Sequence, residues 1–180
     1  MLDISVAYNK YKFTGFEFLT WLWFIIENKP EIIDNISPEI KDFSINDKIV
    51  IENFKEESVE KITINGNTAN LDEGVLAIKK GALVTELKIS FKTGEDIDVK
   101  FLIKGESLDI TGFNVLKYKF STSPDEIEGS VIEKAYFLEL LTDLVDKLFQ
   151  KFILLRISED WINKELSTIS KWIENRTKSY

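Results

Sequence analysis

On each of three predicted strands the lysines occupy positions that face the same side of the strand, and this pattern is the sequence feature best suited to chemistry. Alternating apolar and polar residues predict strands over 83–92, 97–104 and 109–120, with side chains on opposite faces. One face is expected to be apolar, and the other to set six lysines against Glu86 and Asp98. These lysines are Lys88, Lys92, Lys100, Lys104, Lys117 and Lys119. Lys79 and Lys80, just before the first strand, are expected to extend this polar face.

Ammonium groups in such a pattern are able to bind the phosphate backbone of a nucleic acid. Lysine neutralises phosphate as a point charge, so this binding would ignore base sequence and weaken as salt increases. The same lysines would equally suit a solvated sheet face, because exposed charge opposes edge-to-edge aggregation of strands. The pattern alone leaves both interpretations open.

The charge composition restricts the kind of nucleic-acid contact that is expected. The chain has 31 acidic and 23 basic side chains, a formal net charge of −8, so its average field repels polyanions. DNA binding would therefore depend on a local basic surface. Arginine, the usual reader of guanine, occurs only as Arg156 and Arg176, so base-specific recognition is not expected.

The residue types that most catalytic and metal sites need are missing from the sequence. It contains no cysteine and no histidine, which excludes disulfides, thiolate chemistry and the commonest metal ligand. Acidic clusters at 56–60, 95–98 and 125–128 lack the spacing of a calcium loop and are interpreted as solvated loops. No phosphate-binding loop, dinucleotide fingerprint or nucleophile elbow occurs. We therefore expect a non-enzymatic protein with no cofactor, no metal and no small-molecule substrate.

The lysine-bearing strands belong to a predicted sheet. Short turn-forming segments join the three strands, which predicts an antiparallel meander with one covered face. An earlier strand over 47–54 places Ile49 and Ile51 on one face, and the strand 61–64 leads into the turn signal Asn-Gly. A short helix over 70–81 is inserted before the meander. Residues 30–44 hold two of the three prolines and are expected to form an irregular connection.

The segment GFEFLTWLWF, residues 15–24, predicts a helix that is buried on nearly all sides. Thr14 and Glu17 have capping-box spacing, and Lys29 before Pro30 ends the helix near residue 28.

Neither a base-stacking role nor a membrane role suits this helix. Trp21 and Trp23 would lie about 200° apart on it, so they cannot form one stacking platform for bases. The longest apolar run has nine residues, far fewer than the ~20 that span a bilayer, and no secretory signal is recognisable. We expect core packing or a shared subunit interface, in a cytoplasmic protein.

Two amphipathic helices are predicted in the last third of the chain. An apolar stripe over 130–155 consists of Phe137, Leu141, Leu144, Leu148, Phe152 and Leu155. Ser158 is expected to cap a final helix, on which Ile162, Leu166, Ile169 and Ile173 share a face. Trp161 and Trp172 are expected to pack on the long helix. The order of elements indicates one α+β domain over 1–180, with the two C-terminal helices packed on the sheet.

These segments together resemble a known family. GFEFLTWLWF is similar to the G-x-E-F-L-T-W-L-W stretch of the bacterial recombination-associated protein RdgC family. The strand DKIVIENF, the helix NLDEGVLAIKKG and the strand GALVTELKISF resemble the order in the C-terminal half of that family, and YFLELLTDLVDKLFQKFILLR fits its C-terminal end. The resemblance covers most of this chain and about the C-terminal half of a full-length family member.

The resemblance implies a non-enzymatic protein that binds duplex DNA without base readout in recombination or replication. Full-length family members form a dimeric ring around duplex DNA and restrain recombinase filaments, so a homo-oligomer, a dimer, is also implied. No DNA-contact residue is carried over from the family, and the candidate lysines rest on strand alternation alone. The alternative is a protein–protein interaction domain, encoded by a phage or mobile element, that keeps the fold without binding DNA.

Overall fold

The computed structural model describes residues 13–55, 58–65, 68–94, 97–116, 123 and 127–178. The helices are α1 (Phe13–Asn28), α2 (Glu31–Ile36), α3 (Thr68–Lys79), α4 (Ile127–Arg156) and α5 (Leu166–Arg176), and a π-helical turn (Trp161–Glu165) precedes α5. The strands are β1 (Ile40–Lys55), β2 (Ser58–Asn65), β3 (Leu83–Thr93), β4 (Ile97–Lys104) and β5 (Ile110–Leu116). The predicted α+β class is confirmed.

The five described strands form one sheet in the order β2-β1-β3-β4-β5, and every neighbouring pair is antiparallel. The predicted meander is β3-β4-β5. The hairpin of β1 and β2 joins it because β1 pairs with β3, across the inserted helix α3. The sheet is therefore wider than the meander alone, and this places the first hairpin beside the lysine-bearing strands.

The prediction of an irregular connection over 30–44 is wrong. Helix α2 occupies part of it, and β1 begins at Ile40. Pro30 stands immediately before α2, where the absence of an N–H removes no helical hydrogen bond. Ile33 and Ile40 are buried in the core. Tertiary packing orders this segment, and its prolines mark the boundaries of elements instead of disorder.

Helix α1 is buried because it is packed between the sheet and the other helices. It lies against β3 and β1 on one side. On the other side the ring of Phe18 packs on Phe149 and Phe152 of α4, and that of Phe24 packs on Trp172 of α5. Core packing of Trp21 and Trp23 is confirmed, since both are almost fully buried. A helix that is contacted from both sides must be apolar nearly all round.

The start of α1 differs from the predicted capping box. The helix has already begun at Phe13, so Thr14 lies within it and does not precede it. The carboxylate of Glu17 accepts a hydrogen bond from Arg156 Nε at 2.7 Å. Glu17 thus ties α1 to the end of α4.

The long helix α4 follows the prediction over most of its length. Phe137, Leu141, Leu144, Leu148 and Phe152 are buried, as the spacing of three and four residues predicts. The first ten residues, 127–136, contribute no buried side chain. Ring contacts of Phe149 and Phe152 hold the C-terminal half of α4 against α1.

The final helical segment presents only part of the predicted face. Trp161, Glu165, Ile169 and Trp172 are buried, whereas Ile162 is 72% exposed and Leu166 is 41% exposed. Ile169 is buried and Ile173 packs on the core as predicted, so the departure is confined to the π-helical turn and the residue after it, where the wider i→i+5 spacing leaves Ile162 and Leu166 facing outward. Trp161 packs on Phe152 of α4 as predicted, but Trp172 packs against Trp23 and Phe24 of α1.

Candidate nucleic-acid interface

The predicted alternation holds on β3 and β4, and it separates two faces of the sheet. Leu87, Ile89, Val99, Phe101 and Ile103 are fully buried under the helices. The residues between them form the opposite face, which no helix in the described ranges covers. We call this the outer face. Its charged strand residues are Lys41, Asp42, Lys48, Glu52, Lys61, Glu86, Lys88, Lys92, Asp98, Lys100 and Lys104.

Three lysines surround Leu102 on the outer face, and we call them the lysine cluster. Lys88 lies directly opposite Leu102, and Lys100 and Lys104 flank Leu102 on β4. Lys104 is exposed, while Lys88 and Lys100 are half-buried. Within the described part of the chain none of the three ammonium groups forms an ion pair. The charges of Lys88 and Lys100 are therefore available to an external anion, whereas Lys104 lies opposite Glu86, a carboxylate that is itself paired with Lys48.

The other predicted lysine of β3 is less available. Lys92 forms an ion pair with Asp42 at 3.3 Å and lies opposite Asp98 in the β3–β4 register. A carboxylate on each side reduces the field that Lys92 presents to an approaching phosphate. Lys92 thus belongs to the outer face but not to its strongest cationic region.

Lys79 and Lys80 do not extend the outer face. Lys79 is the last residue of α3, and its Nζ donates a hydrogen bond to Thr177 Oγ1 at 2.9 Å. Helix α3 packs against α5, on the covered side of the sheet. Lys80 is exposed in the turn that follows α3. Sequence proximity to β3 misled the prediction, because the chain reverses direction at Gly81, whose φ is 92°.

On β5 the predicted alternation is wrong. Val115 lies opposite the buried Val99 and is itself buried, whereas Asn114 lies opposite Lys100 and is exposed. With Lys117 and Lys119 on the polar face, the alternation would turn Leu116 toward the core, but Leu116 lies opposite Asp98 of the outer face. Around Gly112, whose φ is 62°, β5 contains one residue more than the paired part of β4. The residues after Gly112 therefore face the side of the sheet opposite to the predicted one. Lys117 and Lys119 lie outside the described residues.

Three outer-face lysines lie on the hairpin that precedes the meander. Lys48 pairs with Glu86 at 2.6 Å, and Lys61 pairs with Glu52 at 3.2 Å. Lys41 is exposed and lies opposite Lys92. Lys48 was detectable from the sequence, because its position alternates with Ile49 and Ile51. Lys41 was not, since its segment was predicted to be irregular.

Charge is distributed unevenly between the two sides of the molecule. The described strands carry seven lysines and four carboxylates on the outer face. The exposed positions of α4 on the helical side carry five carboxylates against three lysines: Glu128, Glu133, Glu139, Asp143 and Asp146 against Lys134, Lys147 and Lys151. A chain with an overall charge of −8 thus concentrates positive charge on its open sheet face.

One end of the outer face is aromatic and acidic instead of cationic. A cavity of about 250 Å³ is lined by Phe16, Phe54, Glu52, Glu86, Glu106, Thr85 and Lys104. The rings of Phe16 and Phe54 stack at 5.8 Å between centroids. Three carboxylates around this cavity disfavour phosphate, so Lys104 marks the boundary of the cationic region.

Metal ligands, membrane-spanning helices and similarity to known proteins are the other features that could indicate a function. Nowhere in the described ranges does a group of three or more metal-binding side chains come together in a way that could hold an ion. Among the helices described above, none combines the length and the apolar character needed to cross a membrane. Comparison of the chain with protein-family models, curated proteins and solved structures found no match. The lysine cluster is the candidate site because its three side chains share one face of two paired strands and form no ion pair among the described residues.

Proposed function

We propose that this chain is a non-enzymatic, sequence-independent DNA-binding protein of the RdgC-like type that self-associates and acts in recombination or replication. The observation that carries the proposal is the lysine cluster, three ammonium groups without an ion-pair partner among the described residues, on a sheet face that no described helix covers. Recombination or replication is proposed as the process because GFEFLTWLWF and the segments after it resemble the RdgC family.

The arrangement of the cluster suits contact with a phosphate backbone. Lys100 and Lys104 are four residues apart on β4, about 13 Å at the rise of a strand, and Lys88 projects between them from β3. Long side chains from two strands allow the three charges to adjust to neighbouring phosphates. Such contacts position a duplex without reading its bases, in keeping with the absence of arginine from the outer face.

Duplex DNA binding at two salt concentrations tests the proposal. If three phosphates are neutralised, the slope of about −0.9 per phosphate predicts a roughly 40-fold loss of affinity between 50 and 200 mM salt. Duplexes of different base composition should bind equally. Fluorescence anisotropy with labelled duplexes of about 25 base pairs provides the readout.

Charge-reversal variants separate the cluster from total charge. The triple variant Lys88→Glu/Lys100→Glu/Lys104→Glu should lose detectable binding at 50 mM salt. The control Lys134→Glu/Lys151→Glu/Lys171→Glu makes the same change in net charge at exposed lysines of α4 and α5, and it should retain most of the affinity. Equal losses in both variants would reject the cluster as the site. A wild-type protein without measurable affinity at 50 mM salt would reject DNA binding and favour the interaction-domain alternative.

A further inference from the structure

Four large apolar side chains are exposed around the corner between α4 and α5. Leu154 is 67% exposed, Ile157 77%, Ile162 72% and Leu166 41%. Leu154 lies in the last turn of α4, Ile157 in the bend that follows, Ile162 in the π-helical turn, and Leu166 at the start of α5. Ile157 and Ile162 have the spacing of a hydrophobic staple at the start of a helix. We call these four residues the apolar ridge.

An apolar groove adjoins the ridge. It has a volume of about 220 Å³, and its lining includes Trp21, Ile78, Ala82, Trp161, Leu166 and Ile169. Leu166 belongs to both features, so the ridge and the groove are parts of one surface. Thr20 and Glu17 lie at the groove as well.

The π-helical turn explains why apolar residues point outward here. Glu165 is buried, where it accepts hydrogen bonds from Trp21 Nε1 at 3.2 Å and from Lys29 Nζ at 2.6 Å. Placing both Trp161 and Glu165 inside leaves Ile162 and Leu166 facing outward. The four ridge residues together expose roughly 500 Å², which lies within the range of about 300–600 Å² for the largest apolar patch of a monomer, a patch that is often functional.

We infer that a second copy of this chain docks on this surface, with the ridge of each copy entering the groove of the other. The inference rests on the self-association in the proposed function and assigns it to a surface. A two-fold contact requires one patch that is complementary to itself, and a ridge beside a groove meets this condition. Two copies would bury on the order of 1,000 Å² from the ridges alone, which reaches the lower range of specific interfaces.

The charges around the patch also favour a second copy. Arg156 pairs with Glu17 at 2.7 Å, and Lys164 pairs with Asp160 at 2.7 Å. Both signs are therefore present at the rim. In a chain with a net charge of −8, a rim of paired charges opposes the approach of a second copy less than unpaired carboxylates would.

Molar mass in solution without DNA tests this surface. We expect light scattering after size exclusion to show a dimer for the wild type at about 100 μM protein or below. The variant Ile157→Glu/Ile162→Glu should weaken self-association by at least about 100-fold and run as a monomer, because it buries charge at the contact. The control Val131→Glu/Ile132→Glu carries the same charge at positions 62% and 63% exposed, far along α4, and should remain dimeric.

A cross-linking experiment tests the insertion of the ridge into the groove. The chain contains no cysteine, so introduced cysteines react without competition. A mixture of Thr20→Cys and Ile162→Cys should form a mixed disulfide dimer on mild oxidation, and a mixture of Thr20→Cys and Ile132→Cys should not. Equal cross-linking in both mixtures would reject the assigned geometry.

These outcomes are separable from those of the DNA proposal. The lysine-cluster variant should remain dimeric, and the ridge variant should bind DNA at 50 mM salt as well as the Val131→Glu/Ile132→Glu control. A monomeric wild type at about 100 μM would overturn the docking surface while leaving DNA binding intact. A ridge variant that stays dimeric would place the interface elsewhere.

Discussion

Trp23 of α1 and Trp172 of α5 meet edge to face, with 5.7 Å between ring centroids, and both indole N–H groups donate to the carboxylate of Glu27. The donor–acceptor distances are 2.7 Å from Trp23 and 3.0 Å from Trp172. Arg176 Nη1 also donates to both oxygens of Glu27, and Arg176 pairs with Asp72 of α3. A single carboxylate thus joins α1 to α5, with Arg176 linking both to α3.

Glu27→Gln should destabilise the protein. Glutamine keeps the size of the side chain but offers an NH₂ group where the indoles and the guanidinium donate. Hydrogen bonds to charged groups contribute ~1.5–3 kcal/mol each, so we expect the free energy of unfolding to fall by about 2 kcal/mol. Urea unfolding followed by tryptophan fluorescence provides the measurement. Glu174→Gln, at an exposed position of α5, should change stability by less than ~0.5 kcal/mol, and an equal loss there would contradict the role of Glu27.

Gly15 and Gly129 should respond to alanine with opposite signs. A Cβ at Gly15 would overlap the carbonyl oxygen of Gly105, in the turn between β4 and β5. That turn is held by the hydrogen bond from Gly105 N to Thr85 O at 2.7 Å, so it cannot easily move away. We expect Gly15→Ala to lower the free energy of unfolding by about 1–3 kcal/mol.

Gly129 lies in α4, and no atom of the described residues lies within 4 Å of an added Cβ. Gly129→Ala should therefore stabilise the protein by about 0.5–1 kcal/mol through helix propensity alone. Thermal unfolding of both variants compares them directly. A Gly15→Ala protein as stable as the wild type would show that α1 does not approach the turn closely.

Tyr136 should titrate above its ordinary value, and Glu39 should be the reason. The Glu39 carboxylate repels the phenolate and accepts a hydrogen bond from Tyr136 Oη at 3.3 Å, and with slight burial this raises the pKa of Tyr136 above 10.0. A raised pKa means that the neutral phenol favours the folded state. This contribution is complete below pH 10 and is lost as the pH rises through the higher folded-state pKa.

Glu39→Gln should lower the pKa of Tyr136 toward 10. Carbon-13 NMR of the tyrosine Cζ, assigned with Tyr136→Phe, follows the titration of this one residue. Glu31→Gln, at an exposed position of α2, should leave the titration of Tyr136 unchanged. An unaltered Tyr136 pKa in Glu39→Gln would show that the contact between α4 and the start of β1 does not form in solution.

The helices and strands were predictable because the hydrophobic pattern that indicates each of them lies within that one segment of the sequence. Alternation over β3 and β4, the helical stripe of α4 and the uninterrupted apolar surface of α1 each reflect which side of one element is buried. The errors lie where a distant partner decides the conformation. Packing of Ile33 and Ile40 orders the segment around α2, and Glu165 is buried because Trp21 and Lys29 bind it.

The candidate site was predictable in part for the same reason. Lys88, Lys100 and Lys104 follow from alternation within two strands. Which lysines carry unpaired charge depends on cross-strand partners, such as Glu86 for Lys48 and Asp42 for Lys92. The exclusion of Lys79 depends on Thr177, 98 residues away.

The sequence by itself determined the α+β class, the burial of Trp21 and Trp23, and the side of β3 and β4 that carries lysine. Periodicity and residue type are enough for these features, because each concerns one element and its exposure to water. The tertiary structure decided the pairing of β1 with β3, the change of phase at Gly112 and the outward turn of Ile162 and Leu166. These depend on contacts between residues far apart in the chain, whose free energies no local pattern contains.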